Sequence, residues 1–134
     1  MPYRGRIWLL TKMKKFFLIF VIFIVACTQQ APLPVSKLDD FAKCIDSSGL
    51  KMYGQYTCGV CKSQRNLFGS SFQYIGEIEC HPKGENPQTQ LCLEKDIAKT
   101  PTWILEQDGI EVNRLEDYQS LEILAEASGC SLEQ

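Results

Sequence analysis

The sequence contains one histidine and one C-x-x-C motif, although it contains seven cysteines. Zinc sites commonly combine a C-x-x-C with a second such pair or with spaced histidines. Here the next cysteines, Cys80 and Cys92, are separated by eleven residues, and the single histidine, His81, lies in a polar loop segment. The sequence therefore gives little support to zinc, and we expect neither a metal nor another cofactor. His81 is expected to be a solvated surface residue.

An apolar run long enough to cross a bilayer is also absent. The longest such run, residues 16–26, has eleven residues, whereas a transmembrane helix needs about 20. It follows the two basic residues Lys14 and Lys15, and this order is typical of a secretory signal peptide. Residues 24–27, Ile-Val-Ala-Cys, resemble a bacterial lipobox, in which cleavage precedes a lipid-bearing cysteine. We predict a lipoprotein signal peptide over residues 1–26, with an ordinary signal peptide or an uncleaved anchor as alternatives.

The predicted cleavage also changes the charge of the chain. It would remove five basic residues, Arg4, Arg6, Lys12, Lys14 and Lys15. The remaining 108 residues carry 9 Lys and Arg against 16 Asp and Glu, a net charge of −7. Together with the absence of a basic patch in the sequence, this argues against nucleic acid as a partner.

The remaining residues are predicted to divide into a tether and one domain. Residues 27–35 would carry the lipid on Cys27 and form a polar, Pro-containing tether, and residues 36–134 are enough for a single domain. We expect an exported monomer, held by its lipid at the outer face of the cytoplasmic membrane or in the periplasm.

The motif Cys58-Gly59-Val60-Cys61 lies between a strand-like segment and a segment with helical periodicity. At a helix N-terminus, unpaired N–H groups and the helix dipole stabilise a thiolate, so Cys58 is the predicted nucleophile. Cys61 lies one turn later on the same face, where it can attack a mixed disulfide on Cys58. The motif predicts dithiol/disulfide exchange. A purely structural bridge is the weaker alternative because so short a loop restrains little chain entropy.

The other cysteines are even in number, as expected for disulfides in an exported protein. Once Cys27 is assigned to the lipid and the motif to exchange, four remain: Cys44, Cys80, Cys92 and Cys130. Three pairings are possible, and we favour Cys80 with Cys92 and Cys44 with Cys130. The two loops, of 13 and 87 residues, would contribute roughly 3 and roughly 4.5 kcal/mol in the chain-entropy model.

The apolar periodicity alternates between helix and strand along the domain. It predicts four helices, over residues 36–48, 59–68, 89–97 and 120–128. It predicts four strands, over residues 50–56, 74–80, 103–105 and 110–115. A capping-box pattern at Ser36 and Asp39 begins the first helix, Gly49 ends it, and Asp108-Gly109 joins the last two strands in a hairpin. These elements predict an α/β domain with a mixed central sheet flanked by helices, whose first and last helices pack together.

This order of elements, with Thr100-Pro101 before the hairpin, resembles the thioredoxin family, in which the C-x-x-C faces a cis-proline. The resemblance implies a thioredoxin-like fold, extended by the N-terminal helix over residues 36–48, with Pro101 as the cis-proline. Because Pro101 has no N–H to compete for the sulfur, the backbone of Thr100 is expected to be free to pair with an extended substrate segment.

Residues 38–130 further resemble the thioredoxin-like domains that are fused to, or partnered with, bacterial homologues of vitamin K epoxide reductase. The resembling segments are residues 51–58, 67–69, 79–80, Cys92, 101–103, 120–122 and 128–129. The resemblance implies that the domain takes electrons from reduced client proteins. It would pass them to a membrane reductase, expected here to be a separate protein, which reduces a quinone.

Two positions depart from these families. Gly59-Val60 replaces the Pro-His that often lies between the two cysteines, and Met52 stands where thioredoxins have a buried acid. Without an imidazole near the Cys58 thiolate, the site is expected to be less oxidising. Two alternatives therefore stay open: an exported thiol reductant fed by a transmembrane electron carrier, and a redox-inactive, lipid-anchored binding protein with the same fold.

Overall fold

The computed structural model describes residues 38–132 of the chain. These residues form a four-stranded sheet in the order β2-β1-β3-β4. Its strands are β1 (Leu50–Gly54), β2 (Glu77–Glu79), β3 (Thr102–Gln107) and β4 (Ile110–Glu116). β1 is parallel to β2, and β3 is antiparallel to both β1 and β4. The sheet is therefore mixed, as the sequence predicts. The signal peptide predicted over residues 1–26 and the lipid site at Cys27 lie outside the described residues.

In the described part of the chain, four α-helices and one 3-10 helix accompany the sheet. The α-helices are α1 (Asp39–Ser48), α2 (Gly59–Phe68), α3 (Thr89–Glu94) and α4 (Leu121–Ser128), and the 3-10 helix is Gly69–Tyr74. Within residues 38–132, no helix has both the length and the apolarity needed to cross a membrane.

The two faces of the sheet carry separate apolar clusters. Met52 and Trp103, paired across β1 and β3, lie fully buried in the larger cluster with residues of α1, α2 and α4. Tyr53 and Ile104 belong to the smaller cluster on the opposite face, together with the two cysteines Cys80 and Cys92. Alternate residues of a strand point to opposite faces, so the central strands are covered on both sides. The helices therefore flank the sheet, and α1 packs against α4.

Glycines and short polar side chains set most helix ends and the hairpin. Gly49 and Gly129 end α1 and α4 in the left-handed conformation, which glycine adopts without a Cβ penalty. Ser120 caps α4 by accepting a hydrogen bond from the Ile123 N–H at 3.4 Å. Asp108 and Gly109 both have positive φ, 52° and 76°, the combination that a tight type I′ hairpin turn requires.

The capping-box prediction at Ser36 is wrong because Leu38 is the N-cap residue of α1. Asp39 is buried, and its carboxylate accepts a hydrogen bond from the Ser71 hydroxyl at 2.6 Å. The acid predicted to start the helix therefore connects α1 to the 3-10 helix 32 residues later.

Three other predicted elements are longer than the observed ones. β1 ends at Gly54, because the N–H of Tyr56 donates to the Glu79 carboxylate at 2.9 Å as the chain turns toward α2. β2 begins at Glu77, because the preceding 3-10 helix runs to Tyr74. α3 ends at Glu94, two residues before Asp96 takes a positive φ of 49°.

Candidate active site

Cys58 lies at the N-cap of α2, where the chain turns from the sheet into the helix. Its Sγ accepts a hydrogen bond from the Cys61 N–H at 3.2 Å, in the manner of the side-chain oxygen at ordinary helix starts. The Cys58 N–H donates to the Gln55 carbonyl at 3.1 Å, which fixes the turn after β1. The sulfur therefore faces the N–H groups that begin the helix.

These contacts favour the ionised form of Cys58. Partial burial raises the pKa of its thiol, but hydrogen bonds from the Cys61 thiol, from the N–H groups of Cys61 and Val60 and from the Thr100 hydroxyl lower it. The lowering contacts win, so the pKa of Cys58 lies below its ordinary value. The side chain is also half-buried rather than enclosed. Cys58 thus has the two properties of an attacking thiolate, ionisation and access.

Cys61 has the opposite properties although it lies only three residues away. Its side chain is fully buried. Burial and the hydrogen bond to Cys58 raise the pKa of Cys61 to about 11. Neither cysteine is in a disulfide. In this dithiol, Cys58 ionises first and Cys61 remains protonated, which is the division of roles that nucleophilic attack and later resolution require.

The loop before β3 covers the sulfur of Cys58. The Thr100–Pro101 peptide bond is cis, and the Cys58 thiol donates to the Thr100 carbonyl at 3.3 Å. The Thr100 hydroxyl lowers the pKa of both Cys58 and Cys61 by hydrogen bonding. The Thr100 carbonyl, expected from the sequence to be free for substrate, is therefore engaged by Cys58 in this dithiol. An extended substrate that pairs with this carbonyl would replace the thiol contact.

A buried glutamine holds α2 against the segment before α4. Gln64 is fully buried, donates to the Gln119 carbonyl at 3.0 Å, and accepts from the Gln119 N–H at 2.7 Å. Because both polar ends of the amide are paired, its burial is compensated. Sequence reasoning missed this residue, although a polar side chain three positions after Cys61 on the buried face was a readable signal.

An ion pair beside the motif was also missed. Arg65 forms a two-point contact with Glu77, with Nε···Oε2 at 3.0 Å and NH2···Oε1 at 2.6 Å. Arg65 also donates to the Gln55 carbonyl at 3.2 Å. Glu79 accepts from the N–H groups of Tyr56 and His81. The spacing of Arg65, four residues after Cys61, placed it one helical turn away, but its partner on β2 could not be read from spacing.

The remaining cysteines predicted as site residues form disulfides away from this motif. Cys44 of α1 is bonded to Cys130, which follows α4. Cys80, which follows β2, is bonded to Cys92 of α3. Both pairings are the ones favoured from the sequence. His81 contacts Tyr56 edge to face, with ring centroids 5.1 Å apart. Within residues 38–132, no cluster of three or more metal-ligating side chains occurs.

The topology and the motif now identify the fold. One edge of the sheet consists of two parallel strands, the other of an antiparallel hairpin, and the C-x-x-C at the start of α2 contacts the loop with the cis-proline. The fold is thioredoxin-like. The helix α1 before β1 extends it at the N-terminus, as the sequence predicts.

The chain has sequence similarity to a curated protein. No family model matches the chain. The chain is 35% identical over 97 residues to the thiol-disulfide oxidoreductase LTO1 of Arabidopsis thaliana, a match that covers 69% of this chain. It spans about a quarter, 24%, of the length of that curated relative. The similarity therefore concerns one part of a longer protein.

Solved structures with a similar fold include two thioredoxins. Mitochondrial thioredoxin 3 from Saccharomyces cerevisiae has a TM-score of 0.48 and 15% identity, covering 71% of this chain and 91% of that one. Thioredoxin NaTrxh from Nicotiana alata has a TM-score of 0.46 and 17% identity, covering 62% and 76%. These likenesses are distant, and the strand order and the cis-proline contact identify the thioredoxin-like fold independently of them.

Proposed function

We propose that this chain is a protein thiol-disulfide oxidoreductase that acts through Cys58 and Cys61. The observation that carries the proposal is the Cys58 sulfur, which accepts the Cys61 N–H at 3.2 Å and contacts the carbonyl before the cis-proline at 3.3 Å. A sulfur in this position is ionisable and half-accessible, and a second thiol lies one turn behind it. The relative of the chain, LTO1, is named a thiol-disulfide oxidoreductase, and this supports the same activity.

The proposed reaction moves two electrons. A thiolate of a reduced client attacks Cys58 in the Cys58–Cys61 disulfide, and Cys61 leaves as a thiolate that takes up a proton. A second client thiolate then attacks the mixed disulfide, so the client disulfide forms and Cys58 leaves. The chain ends as a dithiol and must lose two electrons and two protons before the next cycle.

We further propose the route by which those electrons leave. An exported protein anchored at Cys27 would pass them to a separate vitamin K epoxide reductase-like membrane protein, which would transfer them to a quinone. Support for this route comes from the signal-like residues 1–26, from the two disulfides, which suit an oxidising compartment, and from the sequence resemblance over residues 38–130.

One observation favours a second candidate. The two residues between the cysteines, Gly59 and Val60, place no imidazole beside the Cys58 thiolate. A less stabilised thiolate makes a less oxidising pair. Under this reading, the chain reduces client disulfides with electrons from a transmembrane carrier.

The reduction potential of the Cys58/Cys61 pair separates the two candidates. The full chain would be equilibrated in glutathione buffers with both other disulfides intact, and the fraction of dithiol would be measured by alkylation. A value toward roughly −120 mV supports the oxidative relay, whereas a value near roughly −270 mV supports the reductant. A pair that exchanges with no thiol or disulfide would leave only the redox-inactive binding protein.

A reconstitution then tests the membrane partner. Vesicles holding the chain, a vitamin K epoxide reductase homologue and a quinone should return the dithiol to the disulfide without another oxidant. The matched control uses the Cys58→Ser chain. If the wild-type pair exchanges with clients but is never reoxidised in the vesicles, the relay is wrong and the exchange activity stands.

A further inference from the structure

Exchange at this site requires a thiolate at Cys61 in either direction of electron flow. When the chain reduces a client disulfide, the Cys61 thiolate attacks Cys58 in the mixed disulfide, and the client leaves as a thiolate that takes up a proton. When the chain oxidises a client dithiol, Cys61 is itself the leaving thiolate. This sulfur is fully buried, and a buried anion without a compensating charge is strongly disfavoured.

We propose that Arg65 is a positioning residue that stabilises the Cys61 thiolate, and that Glu77 holds Arg65 in place. The proposal rests on the exchange activity proposed above and adds a residue to it. Arg65 follows Cys61 by four positions in α2, so the two side chains lie on the same face, with Cβ atoms about 5–6 Å apart. A guanidinium remains charged at every pH at which thiols titrate.

A hydrogen bond of Arg65 places its charge beside the turn that leads into the C-x-x-C. Its NH2 group donates to the Gln55 carbonyl at 3.2 Å, and the same carbonyl accepts from the Cys58 N–H at 3.1 Å. The N–H of Gln55 in turn lowers the pKa of Cys61 by hydrogen bonding. Arg65 is thus bonded to a residue whose backbone contacts both cysteines.

Glu77 fixes the guanidinium from the neighbouring strand. Its carboxylate binds Arg65 at two points, and a Cβ at Gly54 would clash with its Oε1. A Cβ at position 54 would therefore displace this carboxylate from its observed place, although the backbone there has no left-handed φ. Two partners, Glu77 on β2 and Gln55 in the turn after β1, converge on a single arginine.

The other charges around Arg65 limit how strongly it stabilises the Cys61 thiolate. The pKa of Arg65 is raised first by hydrogen bonds to Glu77, then by the negative charges of Glu77, Cys61 and Glu79. Glu77 offsets part of the guanidinium charge. A cavity of about 420 Å³, lined by Arg65, Glu77, Glu79 and other polar residues, also brings solvent to the pair. We therefore expect a tenfold rather than a thousandfold contribution.

The chain contains a matched control for this arrangement. Arg114 also binds a glutamate at two points, with Nε···Oε1 of Glu111 at 2.7 Å and NH2···Oε2 at 2.9 Å. It also donates to a main-chain carbonyl, that of Lys95, at 2.8 Å. The two arginines are similarly exposed, 27% for Arg114 and 24% for Arg65. They differ in that Arg114 lies on β4, outside the motif.

The test follows the two chemical steps separately. The reduced full chain is mixed with an aromatic disulfide whose thiolate product is coloured. The first release reports attack by Cys58, and the second reports attack by Cys61 on the resulting mixed disulfide. Arg65→Gln should slow the second release by roughly tenfold, the effect of about 1.4 kcal/mol on a rate. Arg65→Lys should stay within roughly threefold of wild type, and Arg114→Gln should leave both releases unchanged.

The pH profile distinguishes charge from structure. The second release should accelerate with pH as Cys61 ionises, and Arg65→Gln should shift this rise to higher pH because the cation no longer favours the thiolate. The proposal would be overturned if the second release were as fast in Arg65→Gln as in Arg114→Gln. It would also be overturned if Arg65→Gln and Arg65→Lys slowed the second release equally. A wild-type chain with no release at all would instead refute the exchange activity.

Discussion

The C-x-x-C turn and the two disulfides use the same residue type in opposite ways. Cys58 lies at the end of a helix, half-buried, with N–H groups directed at its sulfur. Cys80 and Cys92 lie bonded to each other within an apolar cluster that includes Ile78 and Ile104. The position in the fold therefore makes a cysteine reactive, because a helix N-terminus stabilises a thiolate and an apolar cluster does not.

Loop length separates the same two regions. The C-x-x-C closes almost no chain, whereas the bridges Cys80–Cys92 and Cys44–Cys130 join residues that are 12 and 86 positions apart. Short loops restrain little of the unfolded chain and long loops restrain much. Chemistry and stability are thus assigned to different cysteines, and substitutions should separate them.

The largest expected effect on chemistry is that of Cys58→Ser. Without the Cys58 thiolate no mixed disulfide can form, so exchange with a protein disulfide should fall to the uncatalysed rate. The measurement is the reduction of insulin disulfides by dithiothreitol with and without the chain. Cys44→Ser/Cys130→Ser, compared per folded molecule, should retain exchange. Full activity of Cys58→Ser would contradict the division of roles between the two regions.

The next effect concerns Cys61→Ser. Attack by Cys58 still occurs, but nothing resolves the product, so the chain should accumulate as a mixed disulfide with its clients. Non-reducing gels with mass spectrometry measure the trapped species. Capture by Cys58→Ser rather than by Cys61→Ser would mean that the two roles are reversed.

Removing the disulfides should have the opposite effect to removing the motif cysteines. It should lower the stability of the fold and leave the exchange activity unchanged. Cys44→Ser/Cys130→Ser should lower the free energy of unfolding by roughly 4.5 kcal/mol, and Cys80→Ser/Cys92→Ser by roughly 3 kcal/mol, because the longer loop restrains more of the unfolded chain. Urea unfolding of each double variant measures both. A larger loss from the shorter loop would show that packing around Cys80 and Cys92 outweighs loop entropy.

The smallest effect is that of Thr100→Val, which keeps the carbonyl and removes the hydroxyl. Because that hydroxyl lowers the pKa of both motif cysteines, the pKa of Cys58 should rise. Alkylation of Cys58 at neutral pH should then slow by roughly threefold, as expected for one neutral hydrogen bond. Thr102→Val, at the start of β3, where the Thr102 hydroxyl donates to the Lys99 carbonyl, is the control. Equal rates for wild type and Thr100→Val would exclude the hydroxyl from the site.

Local rules made much of this architecture predictable. Apolar spacing and terminal glycines located α1 and α4, and Asp108-Gly109 located the hairpin, because each depends on a few neighbouring residues. The motif likewise placed Cys58 at the start of α2. These features follow from backbone preferences, which a short stretch of sequence carries.

Long-range polar contacts were not predictable. Asp39 binds Ser71 across 32 residues, and Gln64 binds Gln119 across 55. Arg65 forms its ion pair with Glu77 because β2, which carries Glu77, lies beside β1. Such pairs depend on how the elements pack, and periodicity describes each element alone. The chemistry of the site was therefore readable in its cysteines, whereas the residues that hold them in place were not.

The most direct test of the account is the rate of alkylation of the reduced chain as a function of pH, with the modified cysteine identified by mass spectrometry. Cys58 should react first, with a pKa below that of an ordinary thiol, and Cys61 should follow only near pH 11. Modification of Cys61 first, or of both cysteines together at the pH of an unperturbed thiol, would contradict it.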